Sequence, residues 1–166
     1  MAGVCKKAEL SQGALFRHFK SRADLIAAAT EEICKRHIAL VSESATLVAG
    51  EGKNAARSLV TTMRAASRTP EHAAWHEVMV AARCDEHLRK LVSPTLKKFE
   101  QDLLGALGTL GGAERSERTG TILLSLLHVF DSEAVTVAVY GNPTLEADRV
   151  EWLTELLARE LTTTAP

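Results

Sequence analysis

Apolar residues recur along nearly the whole chain at spacings of three and four, the period of an α-helix with one buried face, and β-branched runs that would favour strands are scarce. The pattern predicts short helices over about Gly3 to Glu9 and Gln12 to Phe19. A long helix follows, carrying Leu25, Ile26, Ala29, Ile33, His37, Leu40 and Val41, and the Gly50-Glu51-Gly52 loop closes it. Lys53 to Arg68 repeats the period with Ala56, Leu59, Val60, Met63 and Ala66 on one face. Further helices are expected through Trp75, Met79 and Ala82, from Asp85 to Gly105, and from Glu114 to Tyr140. After Gly141-Asn142-Pro143 a last helix places Val150, Leu153, Leu157 and Leu161 on one stripe. The fold class expected is all-α.

Capping chemistry sharpens several of these boundaries. Ser21 followed three residues later by Asp24 is a helix-opening signature, because the hydroxyl can accept an otherwise unpaired N–H of the first turn. Thr69-Pro70-Glu71 supplies a cap, a proline at the first helical position and an acid near the positive end of the helix dipole. Ser93-Pro94 must either cap a new helix or bend an existing one, since proline donates no interior hydrogen bond. The glycines between Gly105 and Gly112 resemble a phosphate-cradling loop only superficially; no strand precedes them, so a helix end and linker are expected.

Composition adds limits. At 166 residues the chain suits one domain, or a small one fused to a larger, able to bury about two thirds of its unfolded surface. Its 46% hydrophobic and 25% charged residues are those of an ordinary globular protein. The most apolar stretch, Thr121 to Tyr140, is interrupted by His128, Asp131 and Glu133, so no membrane span is expected, nor is a cleavable leader, and the default location is cytoplasmic. Cys5, Cys34 and Cys84 are widely spaced and odd in number, which points to reduced structural thiols. Charge is unevenly spread: the net charge is −1, but residues 1–22 carry +4 from Lys6, Lys7, Arg17, Lys20 and Arg22 against Glu9, leaving −5 elsewhere. A small segment therefore faces polyanions on an otherwise mildly acidic body.

That segment reads as helix, tight turn, helix, with Ser11 poised to cap the second helix. Val4, Leu10, Leu15 and Phe19 supply the apolar contacts, while Gln12, Ala14, Arg17 and His18 lie on or near the other side, with Lys20 and Arg22 beyond. Gln suits adenine, Ala a thymine methyl, and Lys or Arg phosphates. Taken alone, such a hairpin could equally be a solvated surface. From Val4 to Leu25, however, and most specifically in Gly13-Ala14-Leu15-Phe16-Arg17-His18-Phe19 followed by Ser21-Arg22 and Asp24-Leu25, the sequence resembles the second half of the DNA-binding domain of TetR/AcrR-family transcriptional regulators. The resemblance covers about two dozen residues; the remainder agrees only in helical layout.

The resemblance implies a homodimer that binds a palindromic double-stranded operator and releases it when a small-molecule effector enters the C-terminal domain, most simply as a repressor. It places Ser11, Gln12, Ala14, Phe16, Arg17, His18 and Lys20 at the DNA, with Gln12 and Ala14 at base-facing positions. Phe16 and His18 match backbone or base-edge contacts, and Lys20 matches a phosphate contact. Phe16 stands where the family more often has Tyr, removing a hydroxyl, and Glu9 replaces the usual turn glycine, at a cost of roughly 1 kcal/mol if the backbone there is left-handed. The match starts at the second helix of that domain, and without the first helix operator binding is expected to be impaired. The implied layout is a partial helix-turn-helix with connecting helix over residues 1–44 and a ligand-binding and dimerisation domain over 45–166.

Met63, Trp75, Met79, Phe99, Leu103 and His128 are candidates to line an effector pocket, and His128 with Asp131 reads as either a satisfied buried pair or pocket lining. Leu126, Phe130, Val150, Leu153, Leu157 and Leu161 are candidates for the dimer interface, because the last two helices carry more apolar surface than one partner covers. His72 and His76 stand one turn apart near Glu71, Glu77, Cys84, Asp85 and His87, but spacing fixes no fourth ligand and His76-Glu77 lacks the second His of a zinc-protease motif; no metal or other cofactor is expected. No nucleophile arrangement or nucleotide loop is present in the sequence, so no catalytic residue is assigned and an enzyme is not expected. Two other readings remain: a helical dimerisation or ligand-binding module that does not itself bind DNA, and a metal or redox sensor using His72, His76 and Cys84.

Overall fold

A computed structural model describes residues 2–47, 52–108 and 117–163, and within them every element is a helix. The order is α1 (Ala2–Lys7), α2 (Gln12–His18), α3 (Arg22–Leu47), α4 (Gly52–Ser67), α5 (Pro70–Cys84), α6 (Glu86–Gly108), α7 (Glu117–Val139) and α8 (Pro143–Thr163). The all-α expectation holds, and the caps lie where the side chains put them. Ser21 Oγ accepts from the Asp24 N–H at 3.1 Å while donating to the Asp24 carboxylate at 2.9 Å, which starts α3. Thr69 Oγ1 accepts from the His72 N–H at 3.2 Å ahead of Pro70. Asp85 caps α6 through the Leu88 N–H at 2.9 Å.

Pro94 lies inside α6, which continues through it; Ser93 Oγ donates to the Arg89 carbonyl at 2.7 Å in the turn where the proline provides no N–H. The glycine-rich stretch divides, with Gly105 and Gly108 inside α6 and the following glycines outside the described residues. The Gly50-Glu51 part of the expected loop also lies outside them. The division expected between residues 44 and 45 falls within the last turn of α3.

The main core lies between α4, α6, α7 and α8. It unites Ala56, Leu59, Val60 and Met63 of α4 with Leu103 of α6, Leu123, Leu126 and Phe130 of α7, and Leu153 and Leu157 of α8. Each large side chain so buried contributes about 1.5–3 kcal/mol. A smaller cluster of Ala82, Leu88 and Val92 packs with Ala23, Ile26 and Ala27 of α3, tying the start of that helix to the α5–α6 corner. Buried hydroxyls are satisfied within their own helices: Thr30 donates to the Ile26 carbonyl and Thr154 to that of Val150.

Polar side chains fasten α4, α7 and α8. The Glu133 carboxylate, 2% exposed, receives Arg64 from α4, Arg68 from the turn that follows it and Arg149 from α8. Glu146 meets Arg64 and Arg68 at 2.8 and 3.0 Å. This changes one sequence expectation: Gly120–Val139 is, by length and composition, long and apolar enough to cross a membrane despite His128, Asp131 and Glu133. Its buried positions instead join the main core, and its acid at Glu133 is held by three arginines.

Candidate functional site

The candidate side chains lie in two regions, and α3 joins them. At the N-terminus α1 ends in a turn in which the Leu10 N–H reaches the Cys5 carbonyl at 3.0 Å and the Glu9 N–H reaches that of Lys6 at 3.4 Å. This paired closure requires a left-handed residue between helix and exit, and Glu9 supplies it with φ of 54°. The strain expected for a non-glycine residue at this position is therefore present. Ser11 then caps α2 by accepting from the Ala14 N–H at 3.1 Å.

Cys5 and Leu15 are buried and Phe19 is half-buried, so α1 and α2 form a hairpin packed on one side. Val4 and Leu10, expected in that packing, are each 48% exposed. On the outer side Ser11, Gln12, Phe16, Arg17, His18 and Lys20 are exposed, and Ala14 is partly so. Lys6, Lys7, Arg17, Lys20 and Arg22 take part in no ion pair among the described residues, which leaves their charge available to phosphates. A Cβ built on Gly13 would have only Ser11 Oγ, at 4.0 Å, within reach, so nothing in the chain itself demands glycine there.

The second region is a cavity of about 320 Å³ among α3, α4, α5, α6 and α7. Five of the six expected lining residues face it: Trp75, Met79, Phe99, Leu103 and His128. Met63 does not. It points the other way, into the main core, because α4 turns its Ala56–Leu59–Val60–Met63 face toward α7 and α8. Asp131, read from the sequence as a buried partner of His128 or as pocket lining, also lines it, whereas His37, Leu40 and Val41 of α3 and His72 of α5 were missing from the expectation. His37 stands in an otherwise apolar stripe of α3, a signal in the sequence that a polar group belongs on a buried face.

His72 and Asp131 resolve the question left at His128. Asp131 turns not to His128, on its own helix, but to His72 of α5, whose Nε2 lies 2.7 Å from Asp131 Oδ1. That approach is out of line with a hydrogen bond, so both atoms remain buried without a hydrogen-bonding partner. The rings of His37 and His72 are 5.3 Å apart, His72 and Trp75 5.2 Å, and Trp75 and Phe99 6.3 Å, forming a continuous wall. Burial, reinforced by His72 close by, holds His37 below the usual histidine range against the opposing pull of Asp131 and Glu71. Behind the wall, burial pushes the Cys34 thiol up to about 11, so it stays protonated and serves as packing. His72 thus belongs to the cavity wall, and among the described residues no three His, Cys, Asp or Glu side chains gather as a metal site.

The residues expected at a dimer interface lie in or beside the main core. Leu126, Phe130, Leu153 and Leu157 are between 0% and 3% exposed and pack against one another within the single chain, with Val150 and Leu161 at the edge of the same core. Helical periodicity reveals that α7 and α8 have apolar stripes, but not that those stripes face each other and α4. The apolar side chains left outside on these helices are others, among them Val135, Val139, Leu145, Trp152 and Leu156.

The geometry is that of a protein that presents a short, cationic, capped helix and separately encloses an apolar cavity. Comparison with known proteins agrees with the first feature. The chain is 32% identical over 162 residues to a helix-turn-helix (HTH-type) transcriptional regulator of Mycobacterium bovis and to two of Mycobacterium tuberculosis, covering 96% of this chain and 83% of each relative. It belongs to the HTH-type transcriptional regulators and is a DNA-binding regulator, not an enzyme. No family model matches it, and no solved structure does.

Proposed function

We propose that the chain is a TetR-like repressor: a homodimer whose α2 helices read two halves of a palindromic operator, and which a small molecule in the α3–α7 cavity releases from DNA. The observation that carries this reading is that α3 serves both regions. Only three residues separate it from the end of α2, and its His37, Leu40 and Val41 line the cavity. From Arg22 to His37 is about 22 Å along the axis at 1.5 Å per residue. A ligand that tilts α3 by about ten degrees would then shift α2 by roughly 4 Å, comparable to the tolerance of two recognition helices that must sit near 34–36 Å apart.

Gln12 and Ala14 on the exposed side of α2 suit base edges, with Arg17, His18 and Lys20 positioned toward the backbone. Exclusion of DNA by ligand and of ligand by DNA must be reciprocal, because both bias one equilibrium. The test is fluorescence anisotropy of the full chain on DNA taken from around its own gene, at several salt concentrations. Specific binding that falls steeply with salt, and weakens by roughly tenfold with Gln12→Ala at one operator but not on random DNA, supports the reading. Binding that ignores both salt and Gln12 refutes it and favours a module that does not read DNA.

A further inference from the structure

We infer that the α3–α7 cavity takes a protonated apolar amine, with its ammonium against Asp131 and its hydrocarbon body along Trp75 and Phe99. This rests on reading the cavity as the effector site and adds the chemical class of the ligand.

Four buried polar atoms in the described chain lack a hydrogen-bonding partner: His37 Nε2, His72 Nε2, Trp75 Nε1 and Asp131 Oδ1. All four belong to residues that line this one cavity. Orphaned polar atoms are costly, and their gathering on residues around one cavity marks its polar end. Their chemistry is not symmetric. Trp75 can only donate, and it has the Cys34 sulfur, a weak acceptor, beside it. The two imidazoles can accept or donate according to tautomer. Asp131, as a carboxylate, can only accept, and no N–H or O–H of the described chain is aligned on its buried Oδ1. His72 approaches it out of line, while Lys97 and Glu100 are exposed, oppositely charged and three residues apart on α6.

What the cavity lacks is therefore a cationic donor. An ammonium supplies up to three N–H groups, enough for Asp131 Oδ1 and for a histidine nitrogen that accepts. The wall of Trp75, Phe99 and the histidine rings adds the attraction of aromatic faces for a cation within about 6 Å. Beyond this polar end the lining is hydrocarbon, including Leu40, Leu96, Leu124 and Leu127. A ligand carboxylate would face Asp131 and be repelled. A neutral alcohol would donate one hydrogen bond to Oδ1 and leave the charge in place. The volume of about 320 Å³ is that of about ten waters and suits a phenylalkyl body.

The experiment is isothermal titration calorimetry of the full chain with 4-phenylbutylamine, 4-phenylbutanol and 4-phenylbutyrate, which share one apolar body and differ in the polar end. The amine is expected to bind at least roughly tenfold more tightly than either of the others, and Asp131→Asn to remove that margin by weakening only the amine. Equal or tighter binding of the alcohol or the acid, no binding of any probe up to millimolar concentration, or a preference that survives Asp131→Asn in a folded variant overturns the inference. Should Asp131→Asn not fold, the ranking by the unaltered protein decides alone. Release of bound DNA is read separately. An amine that binds through Asp131 yet leaves DNA in place refutes the effector role and keeps the ligand class, whereas an alcohol that binds more tightly and releases DNA does the reverse.

Discussion

Replacing Glu133 by glutamine removes the anion from a site built around it while keeping its shape. Glu133 is 2% exposed and accepts from three guanidinium groups, those of Arg64, Arg68 and Arg149, whose own side chains are 23%, 33% and 27% exposed. Hydrogen bonds to charged groups contribute about 1.5–3 kcal/mol each, so three set an upper bound of roughly 5–9 kcal/mol. Two effects reduce this: the arginines are partly hydrated, and Arg64 and Arg68 retain Glu146. Breaking a buried pair typically costs about 3–5 kcal/mol, and the lower end, about 3 kcal/mol, applies here.

For a chain of this size that is a fall of about 6–12 °C in melting temperature. Urea unfolding at pH 7, followed by circular dichroism at fixed protein concentration, measures it, with Glu31→Gln as control. Glu31 forms an exposed pair with Lys35 one turn away, which solvent screens, so its loss leaves the unfolding midpoint nearly unchanged. The pH dependence supplies a second check. Burial pushes the Glu133 carboxyl upward, but the hydrogen bonds from Arg64, Arg149 and Arg68 outweigh it and leave it below the ordinary value of 4.5. The stability it contributes is complete above that value and is lost as pH falls through the folded one, so the deficit of the variant shrinks in acid. A Glu133→Gln protein within about 0.5 kcal/mol of the unaltered one at pH 7 would refute the reasoning.

Glu9→Gly relieves the left-handed backbone in the α1–α2 turn and should raise the stability of the hairpin by up to about 1 kcal/mol, seen as slower amide exchange in α1 and α2; faster exchange would contradict it. His37, held below the usual range by burial, lets the unfolded chain bind a proton first as pH drops, so stability declines below about 6.5. His37→Gln should flatten that limb between pH 6.5 and 5 in chemical denaturation, and an unchanged slope would show that His37 is not its source.

Local chemistry was legible in the sequence wherever neighbours in the chain decide it. Ser11, Ser21 and Thr69 cap the helices they precede, and the turn at Glu9 is left-handed, because these bonds span only three to five residues. The helix, turn and helix over residues 2–18 were legible for the same reason. Tertiary choices were not. Amphipathic stripes mark Leu126, Phe130, Leu153 and Leu157 as buried without saying by what, and the stripe of α8 closes on the chain's own core. The cluster of Arg64, Arg68 and Arg149 on Glu133 joins residues up to 69 positions apart, which no periodicity announces. The cavity was read through its aromatic residues, whereas its polar end is assembled from three helices by His37, His72 and Asp131.

The central claim, that α2 reads DNA as one half of a symmetric pair, is tested most directly by selecting bound duplexes from a randomised library with the full chain and with Gln12→Ala. The account predicts enrichment of an inverted repeat whose half-sites are about one helical turn apart, with the Gln12→Ala selection losing a base preference at matched positions in both halves. No enrichment, or a single asymmetric site indifferent to Gln12, would contradict it.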